Sequence, residues 1–424
     1  MPETSASNTP VRQSILGSRF EPFTIADGVH VIATQGNSIV VETACGVVFV
    51  DSHNAGAAAE GMIEDLRKVT NLPVRGMVYS HGHVGYNSGF NEWKAHWESR
   101  GESEPVRLGH SNVKVRYDRY AKTRPLQNFM NMFQFPKSTN MDELSPYFEP
   151  NTYFEDSYEF DDDKRPVRVL WSPSETDDCT CVWLPNQKIL YTGPAVINGF
   201  PNVGTPQRII RDTCRWIKSL NMMLDLNAEI LVPEFGQLVH GAEAVRERLL
   251  VGRDALQWLV DETMKRINKG MTDVEIIHDI EIPEWLTAPE CMKANYGAPE
   301  YVIRDLFREQ SGWWVTRNPT DLHPLHPDDV AQAVLDVVDA SLVISAARAM
   351  VDKGEFQKAM HVLDLVALAP GDDATVQEAR NLKADCCDAL AKATTIYVSK
   401  NMFRSSAVLL RRGLRRWSEA IAQQ

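Results

Sequence analysis

What this chain lacks narrows it first. It has no run of 18 or more apolar residues, so no transmembrane helix and no membrane partner are expected. The opening residues, "MPETSASNTPVRQ", hold no apolar core of the kind a secretory leader carries. Cations are the minority: 44 Lys and Arg face 57 Asp and Glu, a net charge of −13. That excludes a general nucleic-acid binder, because neutralising phosphates takes clustered Lys and Arg. Cysteine is sparse, with seven in 424 residues and no regular framework. Cys179 and Cys181, and the adjacent Cys386 and Cys387, read as buried small hydrophobes. The set fits a reducing compartment, and the cytoplasm is the expected location.

Hydrophobic residues make up 43% of the chain, ample for a sizeable core and for two or three domains. The first third alternates strands and helices. "VHVIAT" and "SIVVETACGVVFVDS" are β-branched runs broken by Gly and Asn, read as strands in hairpins. "AGAAAEGMIEDLRKV" reads as a helix, "VRGMVYS" as a strand ending at His81, and "EPVRLGH" as a strand running into the helix "SNVKVRYDRYA". Further on, "RPVRVLWSP", "TCVWLP", "KILYTG" and "AEILVPEFG" are strands, and "TPQRIIRDTCRWIKSLNMML" is a helix. A long helix follows, whose Val245, Leu249, Leu256, Val260, Met264 and Ile267 form one buried stripe, with Gly270 as its stop.

Two stretches stand apart. Residues 121–165, rich in Phe, Met, Pro and acid, read as an insertion, either a lid or an oligomer contact. Its Phe129, Phe133, Phe135 and Phe148 either wall an apolar pocket or pack on their own domain. From about residue 285 the chain turns helical. "ISAARAMVDKGEFQKAMHVLDLVALAP" places Gly354 between two helices, a pair of the kind seen in tetratricopeptide repeats. A lone pair cannot cover its own apolar face, so an oligomer is expected. The expected domains are 1–284, including the 121–165 insertion, and 285–424. Arg411, Arg412, Arg415 and Arg416 read as a solvated or interface helix face.

Chemistry is concentrated in "MVYSHGHVGYNSG", Met77 to Gly89. His81 and His83 follow an apolar run, and a tight loop there aims two imidazoles at one Zn²⁺. Two surface or hydrogen-bonded histidines are the plain alternative. The order "VVFVDSHNAG", helix, "MVYSHGH", "SPSETDDCTCVWLPNQKILYTG" and "ILVPEFGQLVHG" resembles the metallo-β-lactamase superfamily. "SGWWVTRNPTDLHPL", "KGEFQKAMHVLDLVALAP" and "NMFRSSAVLLRRG" resemble the dimerisation domain of its alkylsulfatase-type branch. The resemblance covers roughly residues 28 to 415. It implies an α/β fold, an αββα sandwich followed by an all-α, tetratricopeptide-like dimerisation domain.

That family holds two metals. Its first loop, His-x-His-x-Asp-His, matches His81 and His83 but puts its Asp on Gly85 and its last His on Tyr86. Its Glu ligand to the first metal matches Glu175 in "SPSETDD". Its bridging carboxylate falls on Pro194, and its late His on Phe235. The resemblance thus implies one metal site, His81, His83 and Glu175, taking at most one zinc per chain or none. Tyr86 and Phe235 would fill the vacated second site and face substrate. Asp177, Asp178, Cys179, His53 and His240 are candidate substitute ligands. No catalytic base is assigned, since the loop Asp is replaced by Gly85.

Two functions follow. The first is a hydrolase cleaving a small aromatic or alkyl ether or ester with metal-activated water, alone or as a subunit. The second is a non-catalytic, metal-depleted subunit supporting a related catalytic chain. Heteromeric hydrolases of this branch include an aryl-ether (nitroanisole) demethylase of two related subunits, and this chain resembles such a partner. A homo-oligomer or a hetero-oligomer with a related chain is expected. Long-chain alkyl sulfates are not the expected substrates, because members acting on them carry a further lipid-binding domain after the dimerisation domain.

Overall fold

The computed structural model describes residues 20–136 and 147–423. They fall into two compact units. The first takes the described residues up to Lys122 and from Tyr147 to Gln310. The second takes Thr123 to Pro136 and the residues from Ser311 onward.

The first unit holds two sheets. Strands β1 (Phe23–Ala26), β2 (Val29–Ala33), β3 (Asn37–Thr43), β4 (Gly46–Val50), β5 (Val74–Val78), β6 (Val106–His110) and β7 (Thr152–Phe154) lie in that order across a seven-stranded sheet. Pairings are antiparallel up to β4 and parallel from β4 to β7. The second sheet runs β8 (Ser157–Phe160), β9 (Val167–Trp171), β10 (Thr180–Leu184), β11 (Ile189–Tyr191), β12 (Ile230–Val232) and β13 (Val239–His240), with β11 and β12 parallel.

Alternation along the strands explains the layers. Val29, Val31, Ile39, Val41, Val48 and Val50 point into a shared core with Val167, Val169, Val182, Leu184 and Ile189 of the second sheet. Their neighbours Ile32, Val40, Val47 and Phe49 point the other way. There they meet Ala59, Met62 and Leu66 of α1 (Ala57–Val69), Trp93 and Trp97 of α2 (Phe90–Ser99), and Val113 and Tyr117 of α3 (Asn112–Lys122). Strands buried on both faces must be apolar throughout, which is why "SIVV" and "GVVFV" carry so few polar side chains.

The next helix, α4 (Arg124–Gln134), belongs to the second unit. Outside the second sheet lie α5 (Thr213–Asp225) and α6 (Ala242–Ile267), followed by α7 (Asp273–Asp279), α8 (Glu284–Thr287) and α9 (Pro299–Ser311). The helix expected from Thr205 begins only at Thr213, because Asp212 caps it by accepting from the Arg215 N–H at 2.9 Å. Residues 205–212 instead form a loop that carries Arg208 and Arg211. The all-helical region expected from 285 therefore starts inside the first unit. There Val302, Ile303, Leu306 and Phe307 of α9 are buried.

The second unit comprises α4, α10 (Pro327–Leu335), α11 (Ala340–Val351), α12 (Phe356–Ala367), α13 (Ala374–Ala393), α14 (Tyr397–Arg411) and α15 (Trp417–Ile421). Gly354 turns the chain between α11 and α12 with φ +76°. Ile344, Ala347, Ala359, Leu363 and Val376 form one core. Phe129 and Phe133 of α4 are buried with Leu414 and Ala420, against Trp417. Those two aromatics pack as core. Phe148 lies against Phe90 in the first unit, and Phe135 against Tyr397 in the second. Within the expected 121–165 insertion, the described residues hold the end of α3, all of α4 and the strands β7 and β8; 137–146 lie outside the described residues.

Candidate metal centre

The parallel strands end on one side, and their ends carry the polar groups. β4 runs into Asp51, β5 into Ser80, His81 and His83, β11 into Pro194, and β12 into Glu234. The turn between β9 and β10 adds Glu175. Open α/β sheets hold ligands at strand carboxyl ends for this reason: loops converge there and backbone pairing stops.

His81, His83 and Glu175 come together. One ligand atom from each lies within 4.8 Å of the others. His81 Nε2 and His83 Nδ1 are 2.8 Å apart, and each is 3.7 Å from Glu175 Oε2. His81 is fully buried, and burial lowers its pKa to about 4. Burial, and then His81 itself, pushes His83 well below the ordinary histidine value. Both rings therefore stay neutral, the form that offers a lone pair to a metal. Glu175 Oε1 accepts from Arg211 Nη1 at 3.0 Å and from Asn202 Nδ2, which leaves Oε2 facing the histidines.

The loops are fixed from behind. Asp178 is fully buried and accepts from Gly82 N at 2.8 Å and from Arg116 Nε at 3.0 Å on both oxygens. Burial, the largest single influence, raises its carboxyl, but Arg116, His81 and the Thr176 hydroxyl together hold it below the ordinary value. Arg116 also pairs with Asp177. Asp51 accepts from Ser80 N at 2.8 Å and Asn87 Nδ2 at 2.9 Å. Thr180 N donates to Ser80 O at 2.9 Å, tying the histidine loop to the second sheet.

Residues 31–234 match the model of the Metallo-beta-lactamase superfamily, and residues 272–413 match that of alkyl sulfatase dimerisation. This chain joins a metallo-beta-lactamase domain to an alkyl sulfatase dimerisation domain. It is 24% identical over 395 residues to a linear primary-alkylsulfatase of Pseudomonas sp., covering 88% of this chain and 73% of that protein. It is 24% identical over 409 residues to an (R)-specific secondary-alkylsulfatase of Pseudomonas sp., covering 89% and 60%. Among solved structures, the stereoselective inverting sec-alkylsulfatase Pisa1 from Pseudomonas sp. shares the fold. The TM-score is 0.79 at 20% identity, over 93% of this chain and 66% of that one. The chain thus spans less than two thirds of the latter two proteins.

The donors in this metallo-beta-lactamase domain fit a zinc ion. Tetrahedral zinc with bonds of about 2.0–2.1 Å sets its ligand atoms about 3.3 Å apart. Separations of 2.8, 3.7 and 3.7 Å bracket that value. Two imidazoles and one carboxylate are a donor set zinc accepts with a position left open.

The remaining candidates have other engagements. Asp177 and Asp178 are paired with Arg116. Cys179 is buried, its thiol pushed up to about 12 by burial, and it receives the Thr176 N–H. His240 is exposed on β13. His53 stands in a left-handed conformation with φ +67°, and its Nδ1 accepts from Asn54 N at 2.8 Å. The Tyr86 ring lies 4.3 Å from the His81 ring, and burial raises its phenol well above the ordinary tyrosine value. Phe235 is half-buried beside Gly36.

Sequence reasoning missed Glu234. It is 1% exposed, and neither carboxylate oxygen has a hydrogen-bond partner in good geometry; the Tyr86 phenol is its polar neighbour. Burial first, and Glu175 second, push its carboxyl well above the ordinary glutamate value. An acid placed directly after the apolar run "ILVP" was the available signal. Arg211, Asn202, Ser80 and Asp51 were also missed, for want of a local pattern.

Proposed function

We propose that this metallo-beta-lactamase-fold hydrolase, related to alkylsulfatases, works with a single zinc held by His81, His83 and Glu175. On this reading it cleaves a small aromatic or alkyl ether or ester. The supporting observation is the convergence of three neutral or acidic donors within 4.8 Å at the strand ends. A zinc ion held there would supply Lewis acidity and would lower the pKa of a water to about 7. The chain's own groups do the rest. Arg211 and Asn202 hold Glu175 by one oxygen and so aim the other. Tyr86, kept neutral by burial, sets its ring against that of His81 and its hydroxyl against Glu234, and Phe235 adds an apolar wall.

Homo-oligomerisation through the helical unit belongs to the same reading, given its match to the alkyl sulfatase dimerisation model. So does a cytoplasmic location: all seven cysteines are free thiols. Among the described residues no single helix is long and apolar enough to cross a membrane.

The test is elemental analysis of the purified chain, with turnover measured on 4-nitrophenyl acetate, 4-nitrophenyl sulfate and 4-nitroanisole. We expect no more than one zinc per chain, lost in His81→Ala, and hydrolysis of at least one probe that chelation abolishes. Two tightly held zincs would overturn the single-ion centre.

One set of observations favours a second reading, a non-catalytic subunit held to a related chain. Where the family pattern has ligands to a second ion, this chain has Gly85, Tyr86, Pro194 and Phe235. A chain without zinc and without turnover, which raises the turnover of a co-expressed relative, would select that reading.

A further inference from the structure

We propose that Ser80 and Asp51 act as a positioning relay that sets the tautomer of His81, and thereby decides whether its Nε2 is available to a cation. The inference rests on the single-ion reading above for its purpose, but not for its geometry.

Ser80 Oγ stands 2.5 Å from Asp51 Oδ2 and 2.9 Å from His81 Nδ1. A hydroxyl has one hydrogen, so it donates to one of these groups and accepts from the other. The other Asp51 oxygen, Oδ1, is already taken by Ser80 N at 2.8 Å and Asn87 Nδ2 at 2.9 Å. Among the described residues, Oδ2 is left to the Ser80 hydroxyl. A carboxylate only accepts, so Ser80 gives its hydrogen to Asp51 and must accept from His81 Nδ1–H. The imidazole then carries its lone pair on Nε2. That atom accepts from His83 Nδ1 at 2.8 Å, a hydrogen that His83 gives up when an ion takes its place, and it stands 3.7 Å from Glu175 Oε2.

Reversed polarity has the opposite result. If Ser80 donates to Nδ1, the proton of neutral His81 sits on Nε2 and points at His83 Nδ1, and Nε2 is closed to a cation for as long as Ser80 holds that polarity. Water cannot repair the relay, because Ser80 and His81 are 0% exposed and Asp51 is 2% exposed. Neither Ser80 nor Asp51 belongs to the donor cluster, so their role is to orient a ligand, as partners of metal-bound histidines do. Asp51 sits at the end of β4 with φ +59°, a left-handed conformation that Asp and Asn both tolerate. The aspartate-to-asparagine exchange therefore changes hydrogen-bond polarity with little change of backbone.

That exchange is the decisive test. In Asp51→Asn, Oδ1 keeps its two donors, and the new amide N–H faces Ser80 Oγ. Ser80 must then donate to His81 Nδ1. Ring-¹⁵N-labelled histidine spectra of the zinc-free chain read the tautomer directly, with the His81 signals assigned by their loss in His81→Asn. Spectra are recorded well above pH 7, since burial pushes the Asp51 carboxyl up to about 7. We expect Nδ1–H in the wild type and Nε2–H in Asp51→Asn. Zinc affinity, read by competition with a chromophoric chelator, should fall about 10- to 100-fold in both Asp51→Asn and Ser80→Ala, and return in Ser80→Thr. The same tautomer in wild type and Asp51→Asn overturns the relay. If Asp51→Asn does not fold, the Ser80 pair decides: equal zinc affinities in Ser80→Ala and Ser80→Thr overturn it. A wild type that binds no zinc, yet shows the tautomer exchange, overturns the single-ion reading and leaves the relay standing.

Discussion

Gly85 lies against the Asn54 side chain: a Cβ added at Gly85 would stand 2.6 Å from Asn54 Oδ1, and the amide would have to move. Gly85 also has φ +90°, where residues with side chains are strained. This is the position at which the related loop pattern carries its aspartate. The loop has therefore settled around glycine, and restoring the acid alone works against the backbone. Gly85→Asp should lower stability by about 1–3 kcal/mol. The double exchange Gly85→Asp with Tyr86→His should still hold no second zinc, because Pro194 and Phe235 remain. Thermal melting and elemental analysis check both statements; a second stoichiometric zinc in the double variant would contradict the second.

Glu234 makes stability depend on pH. Its carboxyl is held well above the ordinary glutamate value by burial first and Glu175 second. The folded chain therefore keeps a proton that the unfolded chain releases above about pH 4.5. The stability tied to that proton is complete below this value and is lost as pH rises toward the folded-state pKa. Glu234→Gln removes the titration and keeps the shape. Its melting temperature should exceed that of the wild type, and the gap should widen from pH 5 to pH 8, by at most about 1.4 kcal/mol per pH unit. A gap that stays flat or closes over that range would refute the assignment.

Behind the histidine loop, Arg116 neutralises a fully buried acid. Arg116→Met would leave Asp178 charged, fully buried and stripped of its two 3.0 Å bonds. Breaking one side of a buried pair costs about 3–5 kcal/mol. Adding Asp178→Asn should recover much of the loss, since an amide needs no counter-charge. Denaturant unfolding of the two variants measures the difference; a single variant as stable as the wild type would show that the pair does not hold this loop.

What the sequence made legible was set by how local each signal is. Strands buried on both faces write themselves as β-branched runs, so β3 to β5 were readable from "SIVVETACGVVFV" and "VRGMVYS". His81 and His83 were readable because both sit on one turn after such a run. α2 went unread although Trp93 and Trp97, four apart, face the core, because "FNEWKAHWES" interleaves them with charges. The start of α5 was misplaced because the Asp212 cap was overlooked behind an apolar-looking run. Arg211 is 36 residues from Glu175, and Asp51 is 29 from Ser80. No spacing rule joins such pairs; only the convergence of strand ends does. Phe129 and Phe133 could be read equally as a pocket wall or as packing, because their partners, Leu414 and Trp417, lie near the far end of the chain.

The helical unit exposes several large apolar side chains near the start of α10 and of α11. Val337 is 83% exposed, Leu342 67% and Leu325 68%, on and beside α10 and α11. Val337 and Leu342 flank the start of α11, whose Asp339 caps it by accepting from Leu342 N at 3.0 Å. Neither side chain supports the unit's own core, so replacing them should leave its fold intact. A dimerisation domain needs a face of this kind, because apolar area removed from water returns about 25 cal/mol per Å². Charge placed on such a face must be desolvated on association, which opposes it. The double variant Val337→Glu with Leu342→Glu should therefore sediment as a monomer at concentrations where the wild type sediments as a larger species, with its helical circular dichroism unchanged. Identical sedimentation of variant and wild type would place the contact on another face of the unit.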